Sequence, residues 1–154
     1  MDKRKYTLLW LLPLVAMTLA FILSFEGCTP KPTEAPTTTV ITGTGQMSVS
    51  PDSTRNTYYF QSGGLSYGKI YLNYGIPLLL EGANGIISGS GSVAPDTGYF
   101  LTSGVIDAQS YFVRTDKIIH YCKLTVTGTS QQSSYYIVSF QWVLQTEANN
   151  RNLY

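Results

Sequence analysis

The sequence predicts an all-β domain, an antiparallel β-sandwich or small β-barrel, carried behind an N-terminal apolar segment and a Thr/Pro-rich stalk. Three observations carry that expectation. Beyond residue 40, apolar residues alternate with period two in one stretch after another, and no stretch holds the three-and-four spacing of an amphipathic helix. These stretches are bounded by Gly, Pro, Asn and Asp, residues whose backbone preferences suit turns. Polarity comes from Ser, Thr, Gly and Tyr, with only 12% of the chain charged.

The chain divides into a signal peptide or membrane anchor (1–28), a linker (29–39) and the β-domain (40–154). Leu8 to Phe25 form an apolar run preceded by Lys3, Arg4 and Lys5. Its length of about 18 residues lies between a signal-peptide core and a helix that spans hydrocarbon. Cations precede the run and none follows until Lys31, so the N-terminus is expected to stay cytoplasmic and everything after Cys28 to be exported. Pro13 suits either reading. Thr29 to Thr39 has no large apolar side chain, and its prolines favour an extended chain of up to about 3 Å per residue.

Within the domain, Lys69 to Tyr74 sets Ile70, Leu72 and Tyr74 on one face, opposite Tyr71 and Asn73. Ile118, His120, Cys122, Leu124 and Val126 share a face, with Ile119 and Tyr121 opposite. Tyr136, Val138, Phe140, Trp142 and Leu144 share another, opposite Tyr135, Ile137 and Val143. These last two strands are apolar on both sides, which predicts cover on both faces or a partner surface. Further strands are expected near Thr39–Ser50, Thr57–Gln61, Pro77–Leu80, Ile86–Val93, Tyr99–Asp107 and Ser110–Arg114. Turns are expected at Ser50–Ser53, Ser62–Gly64, Gly82–Gly85 and Pro95–Gly98. Gly89-Ser90-Gly91 falls inside a strand pattern, where missing side chains signal a bulge or close packing. Glu147 to Tyr154 reads as a polar, frayed tail.

Gly27-Cys28 at the end of the apolar run resembles the cleavage site of bacterial lipoproteins, although Phe25 and Glu26 replace the aliphatic and small residues usual in that family. That resemblance implies lipid on Cys28; an uncleaved anchor, or ordinary cleavage and release, are the alternatives. Ile87-Ser88-Gly89-Ser90-Gly91-Ser92-Val93 and Cys122-Lys123-Leu124-Thr125-Val126-Thr127 resemble small exported lipoproteins with a β-sandwich or calycin-like barrel domain. The resemblance implies a membrane-tethered module in the cell envelope that binds or covers something, and carries over no catalytic residue. With Cys28 beyond the stalk, Cys122 is expected to be a lone buried thiol.

No residue pattern specifies a reaction. Asp96-Thr97-Gly98 is the tripeptide of aspartic proteases, but Ala94-Pro95 and Tyr99 flank it unlike that family, and Pro-Asp-Thr-Gly is a common β-turn. His120 is the only histidine, which fits a core row with a hydrogen-bonded imidazole better than a metal site. Glu81, Asp96, Asp107 and Asp116 would serve a glycosidase only if the fold brought two together. No phosphate-cradling loop is present and the net charge is +1, so neither nucleotide nor nucleic acid is an expected partner, and no cofactor or metal is expected. Aromatic residues make up 13% of the chain, 12 of them tyrosines, and flat amphipathic rings stack on sugars and anchor interfaces. Tyr71, Tyr121 and Tyr135, on faces expected to point outward, are the ligand-binding candidates. The expected role is non-enzymatic binding of a glycan or small apolar ligand, with an envelope-assembly subunit pairing through the final strands as the alternative and a hydrolase as the third.

Overall fold

The computed structural model describes residues 39–154; the expected signal or anchor, Cys28 and nearly all of the stalk lie outside the described residues. The described residues form eight strands and no helix: β1 (Val40–Val49), β2 (Arg55–Ser62), β3 (Leu65–Asn73), β4 (Leu79–Ser88), β5 (Phe100–Gly104), β6 (Ser110–Arg114), β7 (Tyr121–Gln132) and β8 (Tyr135–Gln145). All belong to one antiparallel sheet, in the order β1-β8-β7-β6-β4-β3-β2, with β5 attached to β4. The sheet curls into a nearly closed barrel.

Closure fails at one seam: β1 and β2, the two ends of the path, share no strand ladder and are joined by the short connection from Ser50 to Thr54. Side chains bridge the gap instead. The Asn56 amide donates to the Ser48 carbonyl at 3.0 Å, and the Tyr58 hydroxyl donates to the Thr44 carbonyl at 3.1 Å while accepting from Trp142 Nε1 at 3.1 Å.

The barrel interior is filled. Phe60, Ile70, Leu72, Leu80, Ile86, Val113, Cys122, Leu124, Val138 and Leu144 are wholly buried within it, as the alternation predicts, each side chain stabilising the fold by about 1.5–3 kcal/mol. Phe140 and Trp142 fit because their register partners on β1 are Gly45 and Gly43. A Cβ at Gly43 would lie 2.4 Å from the Trp142 ring and one at Gly45 2.5 Å from the Phe140 ring, so the missing side chains make room for the rings. Burial pushes the Cys122 thiol well above its usual range, and it is a free cysteine.

Turn chemistry sets the hairpins. Gly63 and Gly64, at φ +57° and +80°, make the two-residue link between β2 and β3 that a mirror-image turn requires. The structure departs from the sequence expectation at several points. Gly82 to Gly85 is no hairpin turn: it lies inside β4 as a bulge, where a Cβ on Gly82 would stand 2.2 Å from the Gly85 carbonyl oxygen. The two strands expected on either side of it are therefore one bent strand, which passes from β3 to β6 across the bulge. Gly89 lies beyond the end of that strand, its open side packed against the Phe112 ring. Ile119 takes φ +64°, which breaks the alternation, so Ile118 is exposed and β7 begins only at Tyr121.

The tail is not frayed. Asn152 forms a bridge with Val93, the Leu153 amide donates to the Ser92 carbonyl at 2.8 Å, and the Gln145 side chain donates to the Asn152 carbonyl at 2.8 Å. Leu153 is thereby buried with Ala94, Phe112 and Tyr121 in a second, smaller cluster on the outside of the sheet. Leu153 and Ala94 cover the outer side of β7, and Val143 of β8 packs partly against the same cluster, which accounts for the two-sided apolarity there.

Candidate ligand-binding site

The outward faces of β2 and β3 carry Thr57, Tyr59, Lys69 and Tyr71, the counterpart of the inward Phe60, Ile70 and Leu72. Register sets Tyr59 opposite Lys69 and Thr57 opposite Tyr71, so the two tyrosines are diagonal neighbours. The Lys69 ammonium stands 5.9 Å from the Tyr59 ring centre and 5.2 Å from that of Tyr71. Tyr71 holds this ammonium above its usual range, so the partly buried lysine stays charged. The Tyr59 ring is 54% exposed. Tyr71 is half-covered, because the Arg55 guanidinium lies 3.8 Å above its ring centre. Arg55 is fixed in turn by Glu81 at 2.8 Å, which also accepts from the Asn73 amide at 3.0 Å.

A wall rises beside these residues from the loop joining β6 and β7. Its Thr115 carbonyl accepts from the Lys69 amide at 2.8 Å, and the Thr115 hydroxyl donates to the Tyr67 carbonyl. Gly68 allows this contact. Its φ is +97°, and a Cβ there would lie 2.1 Å from the Thr115 carbonyl oxygen. Asp116 is held next: its carboxylate accepts from His120 Nδ1 at 2.6 Å and from the His120 amide at 3.0 Å. Tyr67 packs edge-on against the imidazole at 5.4 Å. Strand face and loop together enclose a groove of about 440 Å³ lined by Tyr59, Lys69, Tyr71, Asp116 and Lys117.

Concavities of similar size occur elsewhere. One lies over β1, β8 and β7 among Thr42, Thr44, Lys123 and Gln141, and one lies near Ile76-Pro77 and Tyr136. The groove on β2 and β3 is singled out because an exposed ring, a half-exposed ring, two ammonium groups and a fixed carboxylate converge there.

The three tyrosines nominated from sequence occupy three different places. Tyr71 lines the groove. Tyr135 is half-exposed at the start of β8, beside the hairpin link where Ser133 takes φ +55°. Tyr121 does project from the outer side of β7, but it is 4% exposed, so its expected exposure is corrected. The tail residue Leu153, with Ala94 and Phe112, seals it, and Tyr99 and Arg114 approach from beside it. Tyr59, the most open ring of the groove, was not nominated, although the alternation that puts Phe60 inside puts Tyr59 outside. The Thr115–Lys117 wall had no signal in the sequence.

Of the groups considered for catalysis, His120 and Asp116 are hydrogen-bonded to each other, and neither Asp96 nor Glu81 joins them in that contact. The side chain of Asp96 is 80% exposed on its turn, and Glu81 is engaged by Arg55 and Asn73. His120 is hydrogen-bonded to Asp116 in the core row, while the adjacent Thr115 hydroxyl is directed to backbone carbonyls of Tyr67 and His120. Among the described residues no three His, Cys, Asp or Glu side chains gather in a set that would hold a metal ion.

The fold and groove define a class: a small, solid-cored, barrel-like β-domain with an aromatic and cationic concavity on the outer surface of β2 and β3. Compared with known proteins, the chain matches no family model, no curated protein and no solved structure.

Proposed function

We propose that this chain is a membrane-tethered, extracytoplasmic binding module without enzymatic activity, and that it takes a glycan in the groove formed by Tyr59, Lys69 and Tyr71. The observation that carries this reading is the pairing of an open tyrosine ring with charged and hydrogen-bonding groups along a wall held by Gly68 and Thr115. An aromatic platform buries the apolar face of a sugar ring while polar groups beside it meet the hydroxyls. The filled interior argues against a small apolar ligand inside the barrel, because the large side chains of β7 and β8 already occupy it. An assembly role through the final strands draws less support, since Leu153 and Ala94 occupy the outer side of Tyr121.

The tether rests on the apolar run and on Gly27-Cys28. Lipid on Cys28 or an uncleaved helix would each keep the domain at the membrane, the helix more firmly. The intact mass of protein extracted from membranes separates them: a chain starting at Cys28 with acyl mass added, or the unprocessed chain. A trimmed, lipid-free chain defeats the tether. Screening of neutral and acidic oligosaccharides by calorimetry tests the binding role, with Tyr59→Ala expected to abolish measurable heat. Binding that survives this substitution would place the ligand elsewhere.

A further inference from the structure

The acids of the groove are engaged by other groups, and its lysines are paired with no acid. Asp116 is bound by His120 through both carboxylate oxygens, and Glu81, behind Tyr71, is bound by Arg55 and Asn73. Among the described residues neither Lys69 nor Lys117 has a carboxylate within 4.0 Å. Both lysines line the concavity without an ion-pair partner, beside Tyr59, the more open of its two tyrosine rings.

We propose that the groove selects saccharides bearing a carboxylate or sulfate over their neutral counterparts, with the sugar ring on Tyr59 and its acidic group directed to Lys69 and Lys117. This inference rests on the reading of the groove as a glycan site. Neutral hydroxyls would find donors and acceptors along the wall, but only an anion gains from the two ammonium groups. The attraction acts at an exposed surface, so it is modest and weakened by salt.

Calorimetric titration of the full-length chain in detergent tests the proposal, with galacturonate oligomers set against their methyl esters and sulfated galactan oligomers against unsulfated ones. Each pair keeps the same sugar rings and differs in the charged group. The charged member of at least one pair is expected to bind about three- to ten-fold more tightly at low salt, the gap narrowing as salt rises. Which pair discriminates tells carboxylate from sulfate. Lys69→Gln with Lys117→Gln is expected to bring the ratio close to one, and Tyr59→Ala to abolish measurable binding of both members. Equal affinity for charged and neutral members, still dependent on Tyr59, overturns the charge selectivity and leaves the glycan reading standing. A preference for the charged member that survives the double lysine substitution also overturns it. Absence of binding by every oligosaccharide removes both readings.

Discussion

Two outer faces of this barrel are built from the same materials and end in opposite states. Over β6 and β7, Phe112 and Tyr121 project outward and are buried; over β2 and β3, Tyr59 and Tyr71 project outward and are left open or half-open. Both faces carry a cation stacked near tyrosine rings, Arg114 at 4.1 Å from Tyr99 in the first case and Arg55 at 3.8 Å from Tyr71 in the second. The difference is a cover. The segment around Ala94 and the tail around Leu153 lie across the first face and are stitched to each other by backbone hydrogen bonds at 2.8–2.9 Å. No such segment among the described residues crosses the second. An outward aromatic row is therefore only raw material, and what the rest of the chain lays over it makes it core or surface.

Removing the cover gives the largest expected effect. Leu153→Ala empties a site on the sealed face and is expected to cost about 2–4 kcal/mol, read as a lower urea midpoint with little change in slope. Tryptic cleavage after Arg151 should speed up in parallel. A midpoint within about 0.5 kcal/mol of the parent would mean that the tail lies on the surface without sealing it.

On the open face the corresponding weak point is Gly68. Its positive φ and the Thr115 carbonyl in the place of a Cβ predict that Gly68→Ala costs about 2–3 kcal/mol and displaces the wall, so oligosaccharide heats should fall with stability. Unchanged stability and binding would show that the loop does not depend on this close approach.

A smaller effect separates the faces by pH. Burial pushes Tyr99, beside the sealed face, up to about 12 from an ordinary value of 10.0. The folded state thus favours the neutral phenol. Its contribution is fully present below about pH 10 and is lost as pH rises towards about 12, because unfolding releases the proton more readily in that window. Tyr99 is about half solvated, so screening keeps the contribution below about 1 kcal/mol. Tyr99→Phe should flatten the decline in stability between pH 10 and 12; an unchanged slope would assign the alkaline loss to other groups.

The smallest expected changes in stability belong to the open rings. Tyr59→Ala and Tyr71→Ala should each shift stability by no more than about 1 kcal/mol, with Tyr71 the larger because it loses the stacked Arg55. Their effect on glycan binding should run the other way, Tyr59 mattering more because its ring is the more open. If both substitutions destabilise strongly, the second face is core as well and the contrast between the two disappears.

The arrangement of the interior was legible in the sequence. Alternation through Ile70 and Leu72, through Cys122 to Val126, and through Val138 to Leu144 names side chains that do meet inside the barrel. It failed where a single backbone conformation interrupts the period: Ile119 at positive φ turns Ile118 outward, and the bulge at Gly82–Gly85 joins two expected strands. Of the groove, Tyr71 was legible as an outward ring. Tyr59 was available by the same rule, but the wall was not, because Thr115 and Lys69 meet across 46 positions of chain.

What the sequence by itself determined is local: that the domain is built of strands, which side of most strands faces inward, and where Gly63-Gly64 turns the chain. Such facts follow from a two-residue repeat and from the dihedral preferences of single residues, and a short window contains them. Only the tertiary structure decided that the sheet curls into a nearly closed barrel with a side-chain seam, that Leu153 hides Tyr121, and that the loop at Thr115 turns the Tyr59 face into a groove. These depend on contacts between segments far apart in the chain, where any of several outer faces could have been covered and packing chose one.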